Sequence, residues 1–253
     1  MRVLKLTLQY DGTDYVGWQR QAAGISIQGV LEDALRPIEG DHVTVHGAGR
    51  TDAGVHAAGQ TASVRLNATI AADTLARALN AVLPADIRVA RAEVMPAEFH
   101  ARFSATGKVY DYQIVNAPFV SPFLRRYVWH VFPQLDIDAM RGAASVLVGE
   151  HDFSAFQGTG SDVPTSVRTV RRIDWKGRGA PDDPLVMQIE GDGFLRHMVR
   201  NIAGTLVEIG SGRWPAEEMR TILASKERGR AGTTAPAAGL LLREVLYSHK
   251  IAT

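Results

Sequence analysis

The order of two periodicities along the first hundred residues limits the folds open to this chain. From Val3 to Tyr10, the residues Leu4, Leu6, Leu8 and Tyr10 alternate with Lys5, Thr7 and Gln9, the period of two expected of a strand with one buried face. After the turn-rich stretch YDGTDYVGWQRQ, the segment SIQGVLEDALRPIEG sets Ile27, Val30, Leu31, Ala34, Leu35 and Ile38 at helical spacing, with Gly40 placed to end the helix. Val43 to Val45 reads as a short strand and Gln60 to Leu66 as a longer one. A second helix is predicted over about Asp73 to Leu83, carrying Leu75, Leu79 and Val82 on one side and stopping at Pro84, before a strand from Ile87 to Val94. The elements spell βαββαβ, the split-βαβ arrangement of ferredoxin-like domains, in which two helices cover one face of an antiparallel sheet and leave the other for a ligand or partner.

The second half repeats the theme. Strands are expected at Val109 to Val115, Thr169 to Trp175 and Leu185 to Glu190, with helices at Ile137 to Val148, from near Phe194, and at Ala216 to Ser225. A last strand from Leu240 to Tyr247 completes that half, and GRGAPDDP before Leu185 reads as a hairpin loop. The fold class is therefore α+β, with a junction between Ala101 and Lys108 that separates residues 1–104 from residues 105–253.

Composition removes several chemistries. No cysteine is present, which excludes disulfides, thiolate zinc sites and a cysteine nucleophile. A net charge of +1 gives no global pull on a polyanion, so nucleic-acid binding has to come from local patches. Of 28 basic residues 23 are arginine; this suits phosphate contacts but follows equally from a GC-rich genome. No apolar run approaches membrane-spanning length, and a soluble cytosolic protein is expected.

The stretch HGAGRTDAGVHA, His46 to Ala57, holds one carboxylate, Asp52, among small residues. It fails as a Walker loop, because Arg50 stands where lysine is required and Thr44 where the first glycine belongs. It fails as a dinucleotide fingerprint, because a carboxylate at Asp52 would repel pyrophosphate. His42 and His46 have the i, i+4 spacing of a helical metal site but lie in a strand-like stretch, where they would not converge with His56 and Asp52. Two readings of Asp52 stay open: a turn cap, or a nucleophile or general base that the small neighbours let a substrate approach.

In GDGFLRHMVRNIAGTLVEIG, the residues Leu195, Met198, Val199, Ile202, Leu206 and Ile209 form an apolar helical stripe. This leaves Arg196 and Arg200 one turn apart on another face, as a phosphate-binding pair, an ion-pair partner for a buried acid, or a solvated face. Arg125, Arg126, Arg168, Arg171 and Arg172 could extend a positive surface, with Trp18, Tyr110, Tyr112 and Phe156 as stacking candidates.

Seven blocks, YDGTDYVGWQRQ, SIQGVLEDAL, GAGRTDAGVHA, LNAVLPADIRV, FHARFSATGKVYDYQI, GDGFLRHMVRNIAGTLVEIG and TAPAAGLLLREVLY, span nearly the whole chain. In this order they resemble the tRNA pseudouridine synthase A family. The resemblance implies a pseudouridine synthase fold of two ferredoxin-like halves with largely antiparallel sheets around a central basic cleft. It also implies a cytoplasmic homodimer and isomerisation of uridine to pseudouridine at positions 38, 39 and 40 of the tRNA anticodon stem-loop, without cofactor or metal. By the same resemblance the nucleophile falls on Asp52 and the base-contacting tyrosine on Tyr110. Arg50 would help hold the flipped-out nucleotide, and Arg200 would pair with the catalytic carboxylate. Arg196, His197 and Arg168 are further candidate RNA contacts, and either Leu240 or Leu242 is the leucine packed near the base. A tRNA-binding chaperone without chemistry and an Asp-dependent hydrolase releasing free base are the rival readings.

Overall fold

A computed structural model of the chain describes residues 1–160 and 163–248. In chain order its elements are β1 (Arg2–Tyr10), α1 (Ile27–Glu39), β2 (His46–Gly47), β3 (His56–Leu66), α2 (Ala72–Val82), β4 (Ile87–Met95) and β5 (Ala105–Val115). There follow β6 (Trp129–His130), α3 (Ile137–Ser145), β7 (Gly149–Asp152), β8 (Val167–Lys176), β9 (Leu185–Gly191), α4 (Met198–Gly210), α5 (Glu218–Ser225) and β10 (Leu240–Tyr247). The protein is thus α+β with mostly antiparallel pairing. Its chain divides into two compact units within β5: Met1–Lys108 together with the stretch from Leu241, and Val109–Leu240.

In the first unit the strands run in the order β4-β1-β3, with β2 on β3. The alternation read in β1 is real: Leu4, Leu6 and Leu8 are fully buried and stand opposite Val64, Ala62 and Gln60 of the antiparallel β3. The Ser26 side chain caps α1 by accepting from the Gly29 N–H, and Gly40, at φ 82°, ends the helix in the left-handed region. Ile27, Leu31 and Leu35 form its buried stripe, whereas two polar residues, Gln28 and Glu32, are buried beside them.

Three expectations need correction, two in this unit and one in the second. The residues Val43 to Val45 form no strand; pairing begins later, where His46 and Gly47 face Ser63 and Ala62. The Val45 backbone is satisfied by side chains instead, its N–H donating to Glu32 Oε1 (3.1 Å) and its carbonyl accepting from Gln28 Nε2 (3.1 Å). Val82 is exposed rather than part of the apolar side of α2, because the chain turns extended at Leu83 ahead of Pro84 and buries Leu83 in its place. The last strand also pairs with the first unit: Leu241 and Leu242 of β10 run parallel to His56 and Ala57 of β3. Finally, the helix expected from near Phe194 begins at Met198, because His197 takes a left-handed conformation (φ 60°) that a right-handed helix cannot pass through.

The second unit orders its strands β5-β9-β8-β7, with β6 parallel to β5. β8 and β9 form the expected hairpin, closed by the loop 177–184 and a bridge between Ala180 and Asp183. α4 is buried nearly all round, Asn201 and Thr205 included, which marks it as the unit's central helix rather than an amphipathic surface helix.

Candidate active site

In the first unit Asp52 sits half-buried in a turn closed by the Val55 N–H on its own carbonyl (3.1 Å), with Gly54 at φ 75°. The flanking backbone is tied at almost every step. The Ala48 N–H donates to the Thr61 carbonyl (2.8 Å), the Trp18 N–H to the Thr51 carbonyl (3.0 Å), and the Gly54 N–H to the Tyr15 carbonyl (3.4 Å). Buried Gln60 donates to the Gly49 carbonyl (2.9 Å) and accepts from the Thr61 N–H. Tyr10 and Thr51 share a hydroxyl hydrogen bond of 2.9 Å, and burial pushes the Tyr10 phenol up to about 12 against the opposing pull of Thr51 and Gln60. Polar bonds to the core therefore fix the Asp52 turn on both sides.

The glycines of this loop do not all clear space for a ligand. A side chain on Gly47 would start 2.4 Å from the Trp18 indole, so that glycine makes room for a core tryptophan. Gly49 lies beneath the stem of half-buried Lys108, whose Cε would be 3.0 Å from an added Cβ. Arg50 is exposed at the loop. Of the histidines weighed as metal ligands, His56 Nδ1 accepts from the Gly12 N–H (3.1 Å), and the exposed His46 ring meets that of His100 at a tilt of 36°, centroids 5.0 Å apart. Among the described residues no three His, Cys, Asp or Glu side chains gather to hold a metal ion.

In the second unit Tyr110 lies on β5, 7% exposed, edge-on to Phe194 with ring centroids 5.2 Å apart. Arg200 is half-buried in the first turn of α4, and its Nε–H donates to the Ala235 carbonyl (2.7 Å). Arg196 precedes the helix, so the two arginines do not share a helical face; its guanidinium instead donates to the carbonyls of Thr159 (2.9 Å) and Gly160 (3.4 Å). The His197 ring covers Gly158, and Arg168 lies over Gly193 while donating to the Thr165 and Val167 carbonyls. Arg196, His197 and Arg168 thus hold the loops around the start of α4.

All four stacking candidates are buried: Trp18, Tyr112 and Phe156 are 2%, 0% and 0% exposed, and Tyr110 is 7%. Tyr112 donates its hydroxyl to the Pro236 carbonyl (2.8 Å), and burial holds its phenol far above the usual range despite the opposing charge of Arg200. Arg171 and Arg172 pair with Glu190, and Arg172 also with Asp174, so their charge is offset locally. Of the two leucine candidates, Leu240 and Leu242 are both buried. Gln60, Lys108 and the strap around Ala235 carry no local signal in the sequence, because their roles rest on contacts distant along the chain.

A family model described as tRNA pseudouridine synthase matches residues 7–104 and 143–248 of the chain. A tRNA pseudouridine synthase A of Acetivibrio thermocellus is 45% identical over 247 residues, spanning 98% of this chain and all of that one. The enzyme of the same name from Solidesulfovibrio magneticus is 47% identical over 252 residues, 98% of this chain and 92% of its own. That of Myxococcus xanthus is 47% identical over 244 residues, 96% and 91% of the two chains.

Proposed function

The chain belongs to the tRNA pseudouridine synthase family and is an isomerase of that kind, and from this premise we propose that it converts uridine to pseudouridine at positions 38, 39 and 40 of the tRNA anticodon stem-loop, with Asp52 as nucleophile. The observation that supports the assignment is the braced turn that holds half-buried Asp52. A catalytic group has to be held by its surroundings rather than find its place on each encounter.

The reaction breaks the bond between N1 and C1′, re-forms a bond from C5 to the same C1′, and moves one proton from C5 to solvent while N1 gains one. It is redox-neutral and needs no activated group, so a carboxylate that forms and releases one covalent bond, at C1′ or at C6, is sufficient. The target uridine leaves the stack at a cost of roughly a few kcal/mol, which an aromatic edge such as Tyr110 partly offsets. In the same reading Arg50 contacts the displaced nucleotide and Arg200 is a further substrate-binding residue. RNA-backbone contacts read shape more than sequence, which suits an enzyme acting on neighbouring positions in different tRNAs. The working species is a cytoplasmic homodimer, checked by light scattering. Among the described residues no helix is long and apolar enough to cross a membrane.

Unmodified tRNA carrying tritium at uridine C5 tests the reading. Wild-type protein releases tritium and forms pseudouridine, and Asp52→Asn lowers the rate at least ~10³-fold, roughly 4 kcal/mol of transition-state stabilisation. Binding without release by the wild type identifies a tRNA-binding protein without chemistry, and free uracil identifies a hydrolase. Tyr110→Phe keeps tRNA affinity within about twofold while turnover falls on the order of tenfold, because the ring remains and the hydroxyl is gone; collapse of binding would make Tyr110 a structural residue.

A further inference from the structure

We propose that Arg228 is a positioning residue for the reaction, acting on Arg200 through the backbone of the strap from Ala231 to Pro236. The proposal deepens the reading above and rests on its assignment of Arg200.

The half-buried Arg228 guanidinium donates to four oxygens: the carbonyls of Ala231 (3.2 Å) and Gly232 (3.0 Å), Thr234 Oγ1 (3.1 Å) and Asn201 Oδ1 (3.0 Å). Thr234 Oγ1 in turn donates to Asn201 Oδ1 (2.7 Å), the Gly232 N–H donates to Thr205 Oγ1 (2.9 Å), and Thr205 Oγ1 donates to the Asn201 carbonyl (2.8 Å). Asn201 is itself anchored, its Nδ2 donating to the Phe156 carbonyl (2.7 Å). One arginine thus joins the strap to the first turns of α4, with every acceptor supplied by those two segments.

Between these anchors the strap lies directly on the helix. A side chain on Gly204 would start 1.8 Å from the Thr233 carbonyl, so only glycine permits the approach. The clasp then reaches Arg200 twice: the Ala235 N–H donates to the Arg200 carbonyl (3.2 Å), and the Arg200 Nε–H donates to the Ala235 carbonyl (2.7 Å). Because Nε donates to the strap, the Ala235 carbonyl constrains the plane of the Arg200 guanidinium. The next residue, Pro236, accepts from Tyr112, so the strap also ties α4 to β5. The Arg228 guanidinium bonds to the strap and to Asn201, not to Arg200 itself, and so acts on Arg200 through the peptide of Ala235.

The test combines a double-mutant cycle with direct observation of the Arg200 side chain. Arg228→Gln lowers kcat on tRNA about tenfold with KM changed less than twofold, and Arg228→Lys recovers part of the loss. In an Arg200→Lys background, where the Nε contact no longer exists, Arg228→Gln costs less than threefold. In 15N-labelled protein the Arg200 Nε–H is protected from exchange, is lost in Arg228→Gln, and is retained in the surface control Arg141→Ala. Equal losses in both backgrounds, or an unchanged Arg200 resonance in Arg228→Gln, overturn the proposal. Thr234→Val and Gly204→Ala, which loosen the same strap without removing the arginine, give the same pattern at smaller and larger size if Arg228→Gln folds poorly. The resonance requires no turnover, so it separates failure of this inference from failure of the isomerase reading, which an inactive wild type would indicate.

Discussion

Gly47 shows how a residue read as substrate-facing serves the core. Its side-chain direction points at the Trp18 indole, 2.4 Å away, and Trp18 is 2% exposed, so neither partner can yield without disturbing packing. Gly47→Ala is therefore expected to destabilise the protein by about 1–3 kcal/mol, the usual cost of overpacking a filled site. Urea denaturation checks this, and an unchanged midpoint would mean that Trp18 is free to move. The sequence drew attention to Asp52 as a lone acid among small residues, with a turn cap and a nucleophile both open. The purpose of each glycine was not legible, since it depends on which side chain crosses over it: Trp18 for Gly47, Lys108 for Gly49.

At the scale of elements, α1 has a buried charge with a defined task. Glu32 accepts from Arg20 Nε (2.8 Å), Gln28 Nε2 (2.9 Å) and the Val45 N–H (3.1 Å), and so fixes the segment that leads into β2 and the Asp52 loop. Glu32→Gln keeps the shape but weakens charge-assisted bonds at a buried acceptor, so a loss of roughly 1–3 kcal/mol is expected, with faster hydrogen exchange at the Val45 amide. A Val45 amide as protected as in the wild type would show that Glu32 does not hold this segment. Periodicity revealed β1, α1, α2 and β9 because each buries one apolar face, and the extended runs of β3, β4 and β8 were legible from their composition. It missed β6 and β7, of two and four residues, which are too short for alternation to register, and β7 is largely polar. It also placed the start of α4 too early, because an apolar stripe carries no sign that His197 will adopt a left-handed backbone. The clasp of Arg228, Asn201 and Thr205 was invisible for a related reason: polar residues reveal a buried task only when distant segments meet.

At the scale of the whole molecule, burial of tyrosines in both units couples stability to alkaline pH. Burial raises the phenols of Tyr10, Tyr15 and Tyr247 in the first unit and of Tyr112 in the second, with Asp86 adding to the effect at Tyr15. A phenol whose pKa is higher folded than unfolded binds its proton more tightly in the folded state. Its contribution is fully present below the unfolded value near 10 and is lost as pH rises through the folded value, about 12 for Tyr10. Each such group removes about 1.4 kcal/mol per pH unit in that window. For Tyr10, which is 4% exposed, the loss between pH 10 and 12 is on the order of 2 kcal/mol, a sizeable share of the total stability of many domains, and Tyr112 shifts in the same direction. The tyrosinate absorbance of these residues should therefore rise together with loss of circular dichroism in one alkaline transition, and not ahead of it. In Tyr10→Phe the decline of stability above pH 10 should be shallower by about 1.4 kcal/mol per pH unit. An unaltered slope would show that the Tyr10 phenol ionises in the folded protein as it does in the unfolded chain, and that the bonds it shares with Thr51 and Gln60 do not secure the Asp52 turn against alkali.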